Sequence, residues 1–196
     1  MYYDTFSSLA NWNYGMPWGN IHPDSPNVIL DNPDVVSVDK HILSLTNCDA
    51  DDKFYVANIY LKKPYKYGIF SCEILSPTGE SNWPAFWLFG KNSWPPEIDI
   101  VEQYTKNSKI NKFEPNVWYN EKQPSNIGAY NIPLDPTKWH DYTLVWTPDI
   151  VEIYYDGYKV CVDTKHVPHD EMWDVLDNHL KDPTITYDTA KRTPMK

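Results

Sequence analysis

Glu97-Ile98-Asp99-Ile100-Val101-Glu102 alternates acid with aliphatic for four residues and then breaks step. On a regular strand successive side chains point to opposite faces, so Glu97, Asp99 and Val101 would share one face and Glu102 would turn away from the other acids. One extra residue bulged out near Ile100 or Val101 resets the alternation, bringing Glu97, Asp99 and Glu102 onto one face with Ile98 in the core. Same-face neighbours lie roughly 6.6 Å apart along a strand, so the outer Cα atoms are about 13 Å apart, and two Glu side chains leaning inward bring their carboxyls much closer. The bare spacing is equally met by a solvated acidic edge strand with one wet face.

Outward from this stretch the chain reads as short strands punctuated by turns. Val35–Val38, Ile42–Leu45, Phe54–Leu61, Gly68–Leu75 and Ala85–Phe89 precede it, and Asn116–Tyr119, Asp141–Thr147, Val151–Tyr155 and Tyr158–Val162 follow. Asp156-Gly157 between the last two is a two-residue hairpin signal. The span from His166 to Arg192 shows no alternation and reads as a long connection with a short helix around Asp170–Leu180. Seventeen prolines against 15 tyrosines and 9 tryptophans favour strands over helices, because proline breaks helices and aromatic rings suit a pleated, half-buried surface. A chain of 196 residues supports one sizeable core, so residues 1–196 are expected to form a single domain.

A formal net charge of −10 with no offsetting basic block repels phosphate backbones and anionic lipid, so neither nucleic acid nor membrane is an expected partner. Three cysteines without close pairing, Cys48, Cys72 and Cys161, read as buried or free thiols and not as a disulfide framework. The N-terminal residues lack the basic start and apolar stretch of a signal peptide. His140, beside Trp139, has no serine or cysteine signature to serve and reads as structural, and Trp146 reads as core.

Crowded carboxyls titrate apart, because a charge on one disfavours a charge on the next. One ionised and one protonated carboxyl is what glycoside hydrolysis requires, the first to attack the anomeric carbon and the second to protonate the leaving oxygen. Asp99, between the two glutamates, would tune this proton distribution. Trp83 and Trp87 share one strand face and offer apolar platforms for sugar rings, with Trp94 bordering the same cleft, although a tryptophan in a β-sandwich is more often plain core.

The same residues carry a family resemblance. Tyr67-Gly68-Ile69-Phe70, Asn82-Trp83-Pro84-Ala85-Phe86-Trp87-Leu88 and the Glu97–Glu102 stretch stand in the order and approximate spacing of glycoside hydrolase family 16. Trp139-His140-Asp141-Tyr142, Val145-Trp146-Thr147-Pro148-Asp149 and Tyr155-Asp156-Gly157 are similar to its later strands, and Asp4-Thr5-Phe6 to its opening. The six-residue acid motif resembles the bulged branch of laminarinase-, agarase- and carrageenase-like enzymes. The resemblance implies a concanavalin A-like jelly-roll β-sandwich of two antiparallel sheets with a concave cleft. It implies a retaining endo-glycosidase that cuts a β-1,3-glucan or a β-linked galactan, with Glu97 as nucleophile, Asp99 assisting and Glu102 as acid/base. It implies a polysaccharide substrate met outside the cell or at its surface, a monomer, no required cofactor and no catalytic metal; a structural calcium is allowed for, although no ligand set declares itself.

Two positions depart from the family pattern, Glu73 where relatives carry arginine and Trp118 where many carry histidine. The resemblance also implies strands beyond Pro194-Met195-Lys196, so a domain truncated at its C-terminus, with an open sheet edge, is an expectation. A non-catalytic carbohydrate-binding or structural jelly roll is the alternative.

Overall fold

A computed structural model describes residues 4–22, 25–78, 82–103, 112–125 and 132–180. Among them lie β1 (Trp12–Tyr14), β2 (Ile21–His22), β3 (Ser25–Ile29), β4 (Val36–Asp39), β5 (Ile42–Leu45), β6 (Cys48–Ala50) and β7 (Lys53–Tyr55). β8 (Ala57–Leu61), β9 (Gly68–Leu75), β10 (Asn82–Gly90), β11 (Glu97–Glu102), β12 (Lys112–Phe113) and β13 (Asn116–Asn120) follow. The series ends with β14 (Gln123–Ser125), β15 (Ile132–Pro133), β16 (Trp139–Trp146), β17 (Val151–Tyr155), β18 (Tyr158–Asp163) and β19 (Met172–Leu180). The only helical turn among the described residues is a 3-10 turn at Pro33–Val35, capped by the Asn32 side chain, which accepts from the Asp34 N–H at 2.9 Å.

The fold is a jelly-roll β-sandwich. One layer is a seven-stranded antiparallel sheet in the order β1-β8-β19-β10-β11-β13-β14. The opposite layer is the four-stranded sheet β18-β17-β16-β9 together with the β4–β5 hairpin. Alternate residues of both layers meet in one core: Ala57, Ile59, Phe86, Leu88, Ile98 and Leu176 from the first, Ile74, Tyr142, Leu144, Trp146 and Ile153 from the second. Burying side chains of this size contributes roughly 1.5–3 kcal/mol apiece, and a strand offers one such residue every second position. Trp146 is part of this core, and its indole N–H donates to the Pro168 carbonyl at 3.0 Å.

Among the described residues, the other face of the seven-stranded sheet is covered at one side only. Residues from Met16 to Leu30 pack Met16, Val28 and Leu30 on Ala85, Trp87 and Val175, and the small sheet β2-β3-β7-β6 braces them through one parallel pairing, β3 with β7. The uncovered remainder is the cleft.

Two expectations change. The run Phe54–Leu61 is two strands, because the chain crosses between sheets at Val56, whose N–H donates to the Ile29 carbonyl at 3.0 Å. The larger correction concerns Asp170–Leu180. It is neither a helix nor a connection: Met172–Leu180 is a central strand of the seven-stranded sheet, paired along nine residues with β10 and along four with β8. Its alternation is invisible in the sequence because both faces carry polar residues, Asp174 and Asn178 toward the core and Asp177 and His179 toward the cleft. The Asp156-Gly157 turn forms as expected, with φ of 48° and 79°, the pair of left-handed residues that a two-residue hairpin demands. All three cysteines are free thiols. The Pro194-Met195-Lys196 terminus lies outside the described residues.

Candidate active site

The bulge is present. β11 pairs with β10 as Glu97 with Phe89, Ile98 with Leu88 and Asp99 with Trp87, then skips Ile100 and resumes as Val101 with Phe86 and Glu102 with Ala85. Ile100 and Val101 therefore both enter the core, at 0% and 1% exposure, and Glu102 returns to the face of Glu97 and Asp99. Read across the sheet, the cleft floor has three levels. Trp173, Phe89, Glu97 and Trp118 form one, Val175, Trp87, Asp99 and Asn116 the next, and Asn58, Asp177, Ala85 and Glu102 the third.

Four carboxyls stand on this floor, and an indole donates to three of them. Trp94 Nε1 donates to Glu97 Oε2 at 2.9 Å, Trp83 Nε1 to Glu102 Oε1 at 2.8 Å and Trp87 Nε1 to Asp177 Oδ2 at 2.7 Å, while Trp118 works against the upward shift of Asp99. A hydrogen bond to a charged acceptor is worth roughly 1.5–3 kcal/mol, about twice a neutral one, and an indole brings it without adding a competing acceptor. Trp94 reaches Glu97 from the loop between β10 and β11, which is pinched shut where the Gly90 N–H donates to the Pro96 carbonyl at 2.9 Å. Only glycine fits there: a Cβ on Gly90 would lie 2.4 Å from the Ser93 carbonyl oxygen.

Burial first, and then the charge of Glu102, push Glu97 up to about 8, while hydrogen bonds from Trp94 and with Asp99 pull it down. Asp99, 4% exposed, is held well above the carboxylate range by burial and by the charges of Glu97 and Glu102. These groups titrate as one set. A proton bound by the set is best placed on the deeper Asp99, from which it can be donated to Glu97. Glu97 then accepts from both Asp99 and Trp94 and is the group best able to carry the negative charge.

Around Glu97 the cleft opens into a cavity of about 300 Å³ lined by Trp18, Phe89, Trp94 and Glu97. Trp18 sits on a tight turn closed by paired backbone bonds between Met16 and Gly19, which sets its ring 4.7 Å from Phe89 and 6.0 Å from Trp87. Of the tryptophans singled out in the sequence, Trp94 is 39% exposed and borders this cavity, and Trp83 is half-buried. Trp87 is 8% exposed beneath Trp18, so the ring that faces solvent at that point is Trp18. Sequence reading noted Trp118 only as a departure from the family pattern, without a site role, and missed Asp177 and His179. Trp118 lies opposite Glu97 with its ring 5.9 Å from Trp94, and His179 lies opposite Trp83 with rings 5.8 Å apart. Only strand register could have found them. His140 is outside the cleft and ties the start of β16 to the β17–β18 turn, Nδ1 at 2.8 Å from Asp156 Oδ2 and Nε2 at 2.9 Å from the Asp135 carbonyl. Among the described residues no three His, Cys, Asp or Glu side chains form a metal-holding group.

The sequence profile of glycosyl hydrolases family 16 matches residues 27–174. The chain belongs to glycosyl hydrolase family 16. Among solved structures, the laminarinase catalytic domain of Thermotoga maritima superposes with a TM-score of 0.79 at 18% identity, over 98% of this chain and 92% of that one. The laminarinase of Flavobacterium sp. UMI-01 does so with a TM-score of 0.78 at 18% identity, over 96% and 91%. In sequence, an endo-1,3-1,4-beta-glycanase of Rhizobium meliloti is 33% identical over 111 residues, 55% of this chain and 23% of that protein. A beta-glucanase of Rhodothermus marinus is 27% identical over 105 residues, 48% of this chain and 37% of that protein. The matched segment is thus 23% and 37% of the length of these two sequence relatives.

Proposed function

We propose that this family 16 domain hydrolyses internal β-glycosidic bonds of an uncharged β-glucan with retention of anomeric configuration. The observation that carries the reading is the Ile100 bulge, which sets Glu97 and Glu102 on one face with Asp99 between them. The Glu97 carboxylate attacks the anomeric carbon; the glycosidic C–O bond breaks, and its oxygen takes the proton of Glu102. The glycosyl ester on Glu97 is then opened by water, which gives its proton to the Glu102 carboxylate and its oxygen to the anomeric carbon. Asp99 stays in place as proton holder and hydrogen-bond donor to Glu97. Trp18 and Trp94 supply flat apolar walls for pyranose rings.

The preference for an uncharged glucan over a sulfated galactan rests on charge. Among the described residues, no Lys or Arg occupies a cleft-face position of β8, β19, β10, β11 or β13, and four carboxyls do. A sulfate ester would enter this field with no cation to meet it. The names of the relatives do not separate the two classes, since a galactan endo-beta-1,3-galactanase and a kappa-carrageenase stand among them beside the glucanases. The polymer is expected outside the cell or at its surface, and the domain is expected to act as a monomer without a cofactor.

Incubation with laminarin, lichenan, agarose, porphyran and carrageenan, read by reducing-end assay, product sizing and the anomeric configuration of first-formed ends, tests the reading. Laminarin or lichenan should yield oligosaccharides of retained configuration. Binding without new reducing ends on any of the five would make the domain a carbohydrate-binding module instead.

A further inference from the structure

Asp99 lies directly opposite Asn116 of β13, and the two side chains share the cleft face. Directly opposed residues on neighbouring antiparallel strands have Cβ atoms about 4.5–5.5 Å apart, so a carboxyl and an amide each carried on a single Cβ are in reach of one another. Both side chains are buried, Asp99 at 4% and Asn116 at 6% exposure, and each keeps one oxygen without a hydrogen-bond partner, Asp99 Oδ2 and Asn116 Oδ1. Three indoles of this floor are committed elsewhere, Trp87 to Asp177, Trp94 to Glu97 and Trp83 to Glu102. Two acceptors thus stand on opposed residues, away from solvent, with no donor for either oxygen. A buried acceptor left unmet is costly, and two facing acceptors repel. One proton removes both penalties, because an O–H on Asp99 Oδ2 that donates to Asn116 Oδ1 joins the two orphans in a single bond. Burial first, and then the charges of Glu97 and Glu102 on β11 and of Asp177 on β19, act in the same sense by disfavouring a charge on Asp99, while Trp118 of β13 works the other way.

We propose that Asn116 is a positioning residue of this site, its amide oxygen serving as the second acceptor of the Asp99 proton while Glu97 is esterified. This rests on the hydrolytic reading for its kinetics but not for its titration. With Glu97 a free carboxylate, the Asp99 proton is donated to Glu97. Once Glu97 carries the glycosyl ester it has lost its charge, and a half-turn of the Asp99 carboxyl presents the same proton to Asn116. Asp99 therefore stays neutral beside the ester, and no fixed negative charge opposes the one that returns to Glu97 when water opens it.

The test changes Asn116 in two opposite ways and reads Asp99 directly. In a Glu97→Gln background, where that position is uncharged as in the ester, the Asp99 carboxyl carbon is followed by NMR against pH and assigned by its absence in an Asp99→Asn counterpart. Asn116→Ala removes the acceptor and admits water, which donates to an ionised carboxylate, so the Asp99 midpoint should fall by about one unit. Asn116→Asp supplies an acceptor that shares the proton, so the midpoint should rise by about as much. A midpoint that stays put in Asn116→Ala overturns the proposal, and so does one that rises, which would show the amide turned to donate its N–H to Asp99. These outcomes stand whether or not the chain hydrolyses any glycan. With Glu97 intact and an aryl β-oligoglucoside of good leaving group as substrate, Asn116→Ala should lower kcat and KM together by about tenfold and release a burst of the aryl alcohol, as ester opening becomes the slow step. Equal losses in kcat and kcat/KM without a burst would place the effect before the ester and overturn the proposal as well.

Discussion

Strand β19 carries two carboxyls three residues apart, one on each face of the seven-stranded sheet, Asp177 buried and Asp174 half-buried with one oxygen shielded from solvent, and they are opposite in kind. Asp177 on the cleft side has an indole partner and two other carboxyls acting on it. Asp174 on the core side has an oxygen with no hydrogen-bond partner, and desolvation alone pushes it up to about 7. A buried carboxyl costs free energy wherever it is placed. On the cleft side that cost is partly offset by three indole donors, with one oxygen of Asp99 left without a partner, and yields a set of groups with displaced protonation; on the core side no donor offsets it. Burial alone thus does not make a site. Convergence of several acids, three of them with an indole donor, distinguishes one face from the other.

The sharpest way to break the comparison is to remove the acids of the cleft face one at a time. Glu97→Gln and Glu102→Gln should each cost about a thousandfold or more in kcat, with a thermal midpoint within a few degrees of wild type, checked by initial rates and calorimetry. A large fall in midpoint instead would mean that the cleft acids serve stability. Less drastic is Gly90→Ala. The Cβ clash with the Ser93 carbonyl forces the loop outward and withdraws Trp94 from Glu97, and roughly a tenfold loss of kcat/KM is expected together with a lowered midpoint.

Asp174→Asn probes the core face. The folded-state pKa of Asp174 is raised, so the stability linked to its proton is fully present below the unfolded value near 3.8 and is lost as pH rises toward and through 7. The substitution should therefore leave the midpoint nearly unchanged at pH 4 and raise it by about 5 °C at pH 8, from roughly 2 kcal/mol of relieved charge burial. An equal effect at both pH values would show that Asp174 is not a titrating group. Smallest is Trp94→Phe, which keeps the ring and deletes the donor. Because that donor holds Glu97 down, its loss moves the acid limb of the kcat/KM profile to higher pH by about half a unit.

How much of this was legible in the sequence follows from where the two faces differ in composition. β11 could be read, bulge included, because its core face is purely aliphatic and its cleft face purely acidic, so the break in alternation at Ile100-Val101 stands out. The Asp156-Gly157 hairpin could be read because only that residue pair tolerates its backbone. β19 could not, since Asp174 and Asn178 face the core and erase the period of two that marks a strand. Trp18 and Trp118 could not be assigned to the cleft, because an aromatic residue signals burial without saying against what. That knowledge comes from register, which places Trp118 opposite Glu97, and from the Met16–Gly19 turn, which lays Trp18 over Phe89. The division of Phe54–Leu61 at Val56 was hidden for a related reason, as both halves are equally strand-like and only their partners differ.

The Ile100 bulge also bears on how this strand can change by descent. Deleting Ile100 or Val101 would restore plain alternation, leaving a five-residue stretch in which both glutamates and the aspartate still share the cleft face, so the bulge is a feature this strand can lose in one step. The change would fall on the core side, which would give up one of two adjacent aliphatic side chains now buried at 0% and 1% exposure. Packing beneath the strand thus resists a length change more than the geometry of the acids does.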